Sequence, residues 1–514
     1  MANNRGRNRI ARRAFLTAIG RAAGGTAMLR TMAAMGLGTA ATACGSSSAG
    51  PGAPGNPGGP VPQPAAPSPR PGDWPARVGD GKSVVILGAG IAGMTTAFEM
   101  QKLGYDCTIL EASATAGGRT RTIRSGDIVT ETDSTQICMF DVDDDLYFNP
   151  GPARIPHHHE FLLGYCREFG VALETFVNDN RAALLHSTQA FDGQPQIARQ
   201  VMADSRGNIA RLLATAINLD ALDQELSASD KTSILQMLRE FGDLDGSFDY
   251  TGSARAGFPG QENVGSRQRG EWVDTLDLQT LISDTFWQLR QDYSHGLEQQ
   301  PTMLQPVGGM DRIARAFEAQ VSGNLVLDAV VTEIRKTAEG VRVVYENSTA
   351  TPLQLEADYC VCTIPATVLR SIANDFSGAH AAAISSFNYA SAGKLAFQSR
   401  RFWEQQHNIY GGISWTTQDI TQVWYPNNAF GTTNGVLLGA YIFGGASGDA
   451  FAAQSPQQRN DASIAQATAL HAGFGNEVNH GISMAWTKVP FQLGAWGTSD
   501  PGVLLTADDS IFFA

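Results

Sequence analysis

Between Ser83 and Glu111 the chain reads Ser-Val-Val-Ile-Leu, then Gly88-Ala-Gly90-Ile-Ala-Gly93, then a run to Gly104, and then Tyr-Asp-Cys-Thr-Ile-Leu-Glu111. This stretch leaves few folds open. The first run is short, apolar and β-branched, as a strand buried on both faces must be. Glycines follow it directly and open a helix. Gly88 permits the tight turn, Gly90 lets backbone approach a pyrophosphate, and Gly93 allows close helix–strand packing. The free N–H groups and dipole of that helix start favour an anion. A second strand over Cys107–Leu110 ends at Glu111, where an acid takes a ribose hydroxyl. Strand, glycine turn, helix and acid at this spacing predict dinucleotide binding; a lone glycine motif would not.

Gly117-Gly118-Arg119-Thr120 narrows the choice. Together with the glycine turn it resembles the extended flavin fingerprint of the flavin monoamine oxidase superfamily, in which the arginine reaches FAD. A nicotinamide dehydrogenase is not expected to carry it. Asn149-Pro150-Gly151-Pro152-Ala153-Arg154-Ile155-Pro156 resembles the motif of FAD-dependent L-amino acid oxidases whose arginine clamps the substrate carboxylate. A guanidinium presents a planar fork that suits a carboxylate, whereas a simple amine offers it nothing to hold. Pro306-Val-Gly-Gly-Met310 and the helix expected over 312–320 are similar to a stretch of the same enzymes. The hairpin expected over 325–345 brings Val331 to the position that holds adenine in the family. Ser391-Ala-Gly-Lys394 and Arg401-Phe-Trp-Glu404 match the L-amino acid oxidase pattern, in which the lysine holds a water against the flavin and a cation can aid the reaction with oxygen. The family's substrate-site tyrosine falls on Tyr441, a second hydrogen bond for the carboxylate beside Arg154.

The resemblance implies an α/β, two-lobed protein: a GxGxxG flavin domain, a mixed-sheet substrate domain and a helical lobe. Its segments are expected at 78–160 and 301–375 for FAD, 161–300 for the helical substrate funnel, 376–490 for the substrate domain, and 491–514 for the start of a final FAD-binding segment. In the family that last segment continues past an apolar strand such as Ile511-Phe-Phe513, so the sequence reads as shortened there. The implied activity is oxidative deamination of L-amino acids to 2-oxo acids, ammonia and hydrogen peroxide, with O2 as acceptor. Two alternatives stand beside it: an amine or polyamine oxidase of the same superfamily, and an inactive truncated remnant. A homodimer is a further expectation carried by the resemblance.

Charge and composition exclude other classes. The net charge is −13, and the first 44 residues hold seven arginines and no acid, so residues 45–514 carry −20. A body this acidic is a poor nucleic-acid binder. Ala11-Arg12-Arg13-Ala-Phe-Leu resembles a twin-arginine signal, a route that carries folded proteins with their cofactors loaded, and places the protein outside the cytoplasm. Ala41-Thr-Ala-Cys44 is similar to a lipoprotein processing site, with Ala41 where leucine is usual. A lipid anchor at Cys44 is the expectation; ordinary cleavage is the alternative. Residues 45–77, rich in Pro, Gly, Ser and Ala, read as a tether.

Three further readings concern local structure. Ser205–Ala216, Leu219–Leu226 and Lys231–Phe241 carry helix-compatible patterns. Cys360 and Cys362 lie two apart on an expected strand and read as buried thiols. His157-His158-His159, taken as helical, point about 100° apart and so cannot share one ion; no metal is expected.

Overall fold

A computed structural model describes residues 77–498, apart from 224, 259–269, 284, 285, 287, 288, 290 and 350. The export signal, the tether, Cys44 and most of the 491–514 segment lie outside the described residues.

The Ser83–Leu87 strand sits between Asp106–Leu110 and Tyr359–Cys362, parallel to both, with Leu325–Val326 at one edge. Its apolar residues have neighbours on both sides and faces, so Val84 to Leu87 are almost wholly buried. Helix Ile91–Lys102 makes the crossover to Asp106–Leu110 and buries Gly93, Met94 and Ala97. Helix Asp311–Val321 closes the same core with Ile313 and Phe317. The expected hairpin forms from Val330–Lys336 and Val341–Glu346.

A seven-stranded sheet makes the second layer. Gly393–Arg400 lies one strand in from its edge, between the edge strand Val478–Ala485 and Asn434–Ile442; Gln422–Trp424 and Ile413–Thr416 continue the sheet. Leu184–His186 and Gln196–Ile197, from the region expected to be helical, complete the sheet's far edge. A three-stranded sheet of Ile155–Pro156, Met303–Pro306 and Leu173–Phe176 ties the chain after Arg154 to its return from the helical lobe.

The helical lobe holds Ala198–Asn218 and Ala228–Gly242, the second opened by a reciprocal cap between Ser227 and Asp230. Leu219–Leu226, expected as a helix, is instead a turn among its described residues, with Asp220 at φ 57°. Its apolar spacing has a different cause: Leu222 is buried in the core between the two helices.

One buried ion pair ties strand Ile128–Glu131 to helix Pro456–Ala467, which packs against the seven-stranded sheet. Arg459 and Glu131 are both fully buried and meet through two bonds of 2.8 and 2.9 Å. Glu131 also accepts from the Ala485 N–H, and Arg459 donates to the Phe451 carbonyl. Losing one partner leaves the other charged in a dry core. Arg459→Met is therefore expected to cost about 3–5 kcal/mol, and the double variant with Glu131→Met clearly less. Urea unfolding of the two variants checks this; equal losses would remove the pair from the account.

Candidate functional site

The glycine cradle is built as its spacing requires. A Cβ on Gly93 would lie 1.9 Å from the Gly88 carbonyl oxygen, so no other residue fits. A Cβ on Gly90 would meet nothing within 4 Å, which leaves open space in front of the helix start. Gly90 caps that helix with no side-chain hydrogen bond. Glu111 is 6% exposed and accepts from the Ala89 and Ser113 N–H groups at 2.7 and 2.9 Å, one at each oxygen. Each oxygen keeps a second lone pair for a hydroxyl. Val331 lies two residues beyond Ala329, whose N–H donates to the Glu111 carbonyl. Open space over an uncapped helix start, with a fixed carboxylate beside it, fits the pyrophosphate and ribose of a dinucleotide.

The second motif folds against the first. Gly117 donates to the Ala89 carbonyl and forms a parallel bridge with Gly90. That sets Gly118 and Arg119 on the cradle's rim. Arg119 donates to the Ala495 carbonyl at 2.5 Å and lies 5.5 Å from the Tyr389 ring centre. Burial lowers its pKa, with Tyr389 acting the other way. Cys362 ends the neighbouring strand, with Thr363 bonded to the Leu87 carbonyl next to Gly88. The buried reading of the two cysteines fails here: Cys360 is half-buried and Cys362 exposed. They share a face, but that face opens at the strand's C-terminal end. Protein still crowds the Cys362 thiol, and desolvation pushes it up to about 11.

Residues 149–154 run from this rim to the seven-stranded sheet. Asn149 Oδ1 accepts from the Thr122 hydroxyl and the Met310 N–H, and the Trp486 indole donates to the Pro150 carbonyl. A Cβ on Gly151 would lie 2.1 Å from the Arg119 carbonyl oxygen, so the loop passes directly against that motif. Lys394, on the Gly393–Arg400 strand, reaches the same loop. It donates to the Asn149 and Gly151 carbonyls at 3.1 and 2.6 Å and is 2% exposed. Burial first, and the positive Arg154 second, hold its ammonium well below the usual lysine range. It is thus a poorer resting cation than the sequence suggests. It spends two N–H groups on the two carbonyls and has one position left for a water.

Tyr441 stands opposite Lys394 in the sheet register, its ring 4.5 Å from Nζ. Arg154 lies 4.8 Å from the Trp424 ring and donates to the Tyr293 hydroxyl. Among the described residues no carboxylate pairs with Arg154. Trp424, Tyr441 and Phe443 form an aromatic run, with ring centres 5.1 and 4.4 Å apart. Arg154, Lys394 and Tyr441 are therefore brought together around Trp424.

Sequence reasoning missed Tyr293, Trp424 and Phe443. The alternation Tyr441–Phe443 was the one available signal, since residues two apart on a strand share a face; Tyr293 had none. Trp415, Gln422 and Phe443 also line a cavity of about 530 Å³. Its described walls carry hydroxyls, amides and apolar groups and no charge.

The chain is similar to known proteins over most of its length. Residues 91–510 match the family model of flavin containing amine oxidoreductases. The chain is 26% identical over 436 residues to an L-amino-acid oxidase of Echis ocellatus, covering 82% of this chain and 80% of that one. It is 25% identical over 443 residues to an L-amino-acid oxidase of Bungarus fasciatus, covering 82% and 78%. In fold it is similar to the cyclohexylamine oxidase of Brevibacterium oxydans, with a TM-score of 0.52 at 16% identity over 83% of this chain and 89% of that one. The chain belongs to the flavin containing amine oxidoreductases, with FAD as its cofactor and a small molecule, oxidised with O2, as its substrate.

Proposed function

We infer that this oxidoreductase deaminates L-amino acids. The observation that carries the reading is Arg154, a guanidinium with no carboxylate partner among the described residues, held over Trp424 beside Tyr441 and Lys394. An unpaired cation in a partly desolvated aromatic setting suits an anionic substrate group. The substrate carboxylate would take the guanidinium fork, and Tyr441 would add a second hydrogen bond. An oxidase of simple amines, the alternative left open by the sequence, gives Arg154 nothing to hold.

Gly88, Gly90 and Gly93 would hold the FAD pyrophosphate, Glu111 a ribose, Val331 the adenine, and Gly118 with Arg119 the rim. When bound, FAD would supply the two-electron redox chemistry of the reaction, with O2 as acceptor. The chain's own part is placement. Arg154 and Tyr441 fix the carboxylate end, which orients the Cα–H and amino group. Lys394 holds a water at the buried end of the site. Fixing the reacting atoms in this way supplies much of the rate of such reactions. The uncharged cavity beyond Phe443 favours neutral side chains over charged ones, whose burial without a partner is costly.

The deciding test is reduction of the bound flavin by neutral L-amino acids against their decarboxylated amines. Export by the twin-arginine route, a lipid tether at Cys44 and a homodimer remain part of the proposal, read from the sequence alone.

A further inference from the structure

The three histidines do not lie on a helix. His157–His159 form a turn after Ile155–Pro156, in which the His159 N–H donates to the Pro156 carbonyl, and His159 caps helix Glu160–Glu168 with non-helical angles. The 100° argument against a shared ion therefore does not apply. The His158 and His159 rings stand nearly perpendicular with centres 4.9 Å apart. Both turn Nε2 to one carboxylate: His158 lies 3.0 Å from one oxygen of Glu298 and His159 3.1 Å from the other.

We propose that His158, His159 and Glu298 form a binding site for a divalent transition ion of the Zn2+ type. The three ligand atoms lie within 4.8 Å of one another. Tetrahedral Zn2+, with bonds of about 2.0–2.2 Å, needs its ligand atoms about 3.3 Å apart. His158 and His159 lie 3.0 and 3.1 Å from separate oxygens of Glu298, so a small rotation of the carboxylate and an approach of the two rings bring the three ligand atoms to that spacing. Two imidazoles and one carboxylate, with water in the fourth place, are a known zinc donor set. Imidazole also disfavours Mg2+ and Ca2+, which prefer oxygen.

The scaffold is firm. Ile155 and Pro156 pair with Leu304 and Met303, so the turn and the Glu298 segment are held side by side by strand pairing. The same two segments carry Arg154 and Tyr293, four residues before His158 and five before Glu298. An ion here clips together the segments that bring Tyr293 to Arg154. His158 Nδ1 is buried without a hydrogen-bond partner. The site thus lacks the outer acceptor that strengthens metal-bound histidines, a deficit worth about 10–100-fold in affinity.

The test is equilibrium dialysis of the chelator-treated, flavin-loaded full chain against Zn2+. One saturable zinc per chain is expected. His158→Ala and the near-isosteric Glu298→Gln should each weaken it roughly 10-fold or more. His295→Ala, on the same segment but outside the cluster, should leave it unchanged. Flavin absorbance and circular dichroism of each variant identify any that misfold, and Glu298→Gln keeps the test open if His158→Ala is one of them. No saturable zinc, or stoichiometric zinc that Glu298→Gln does not weaken, overturns the proposal.

Discussion

Arg154→Ala raises KM for neutral L-amino acids roughly 100-fold and leaves the flavin spectrum unchanged. The size follows from losing a charge-assisted pair to the substrate carboxylate, about 3 kcal/mol at about 1.4 kcal/mol per tenfold. Arg154→Lys recovers only part of it, because an ammonium keeps the charge but not the planar fork. Among the described residues no carboxylate pairs with Arg154, so the substitution leaves no buried anion behind. Steady-state kinetics with an amino acid and its amine separate the two readings. An amine substrate should not register the loss, and an unchanged KM for the amino acid would take Arg154 out of the carboxylate site.

Lys394→Met slows the oxygen-dependent half of turnover about 100-fold, the scale on which one well-placed polar group contributes to charge stabilisation. It leaves KM for the amino acid within a few-fold. Lys394 and Arg154 therefore split by readout, although each lies against Trp424. Stopped-flow measurement of each half-reaction checks the split. Stability should change little in net terms. The Asn149 and Gly151 carbonyls lose their donor, which costs about 1–3 kcal/mol each, while the cost of confining an amine in a desolvated site disappears. If reduction by substrate slows and reoxidation does not, Lys394 acts on the substrate rather than on the oxygen step.

Much of this was legible because local pattern and tertiary role coincide. Ser83–Leu87, its glycines and Glu111 are bound by one strand–turn–helix geometry, and each residue has a steric or polar reason to be there. Lys394 was legible only through the resemblance of Ser391-Ala-Gly-Lys394 to the family's pattern; the structure adds that it is a lysine inside an otherwise buried strand, the kind of local break that concentrates at sites. Other features depend on what the strand or turn meets. Leu222 carries the spacing of a helix face, yet the chain bends at Asp220 and brings that leucine into the core from a turn. Cys362 follows strand alternation correctly, but it ends its strand at the open edge beside the glycine cradle. The histidine run was read as helical, where the 100° rule holds, but these residues precede a helix. Tyr293 reaches Arg154 across the helical lobe, a contact that no spacing encodes.

The most direct test of the central claim is the visible spectrum of purified residues 45–514, before and after anaerobic addition of neutral L-amino acids or of their decarboxylated amines. The account predicts a bound flavin whose absorbance bleaches with the amino acids and persists with the amines. Bleaching by amines alone would contradict the substrate assignment. A flavin that neither bleaches, or a protein that holds none, would contradict the account of an active oxidase in this chain.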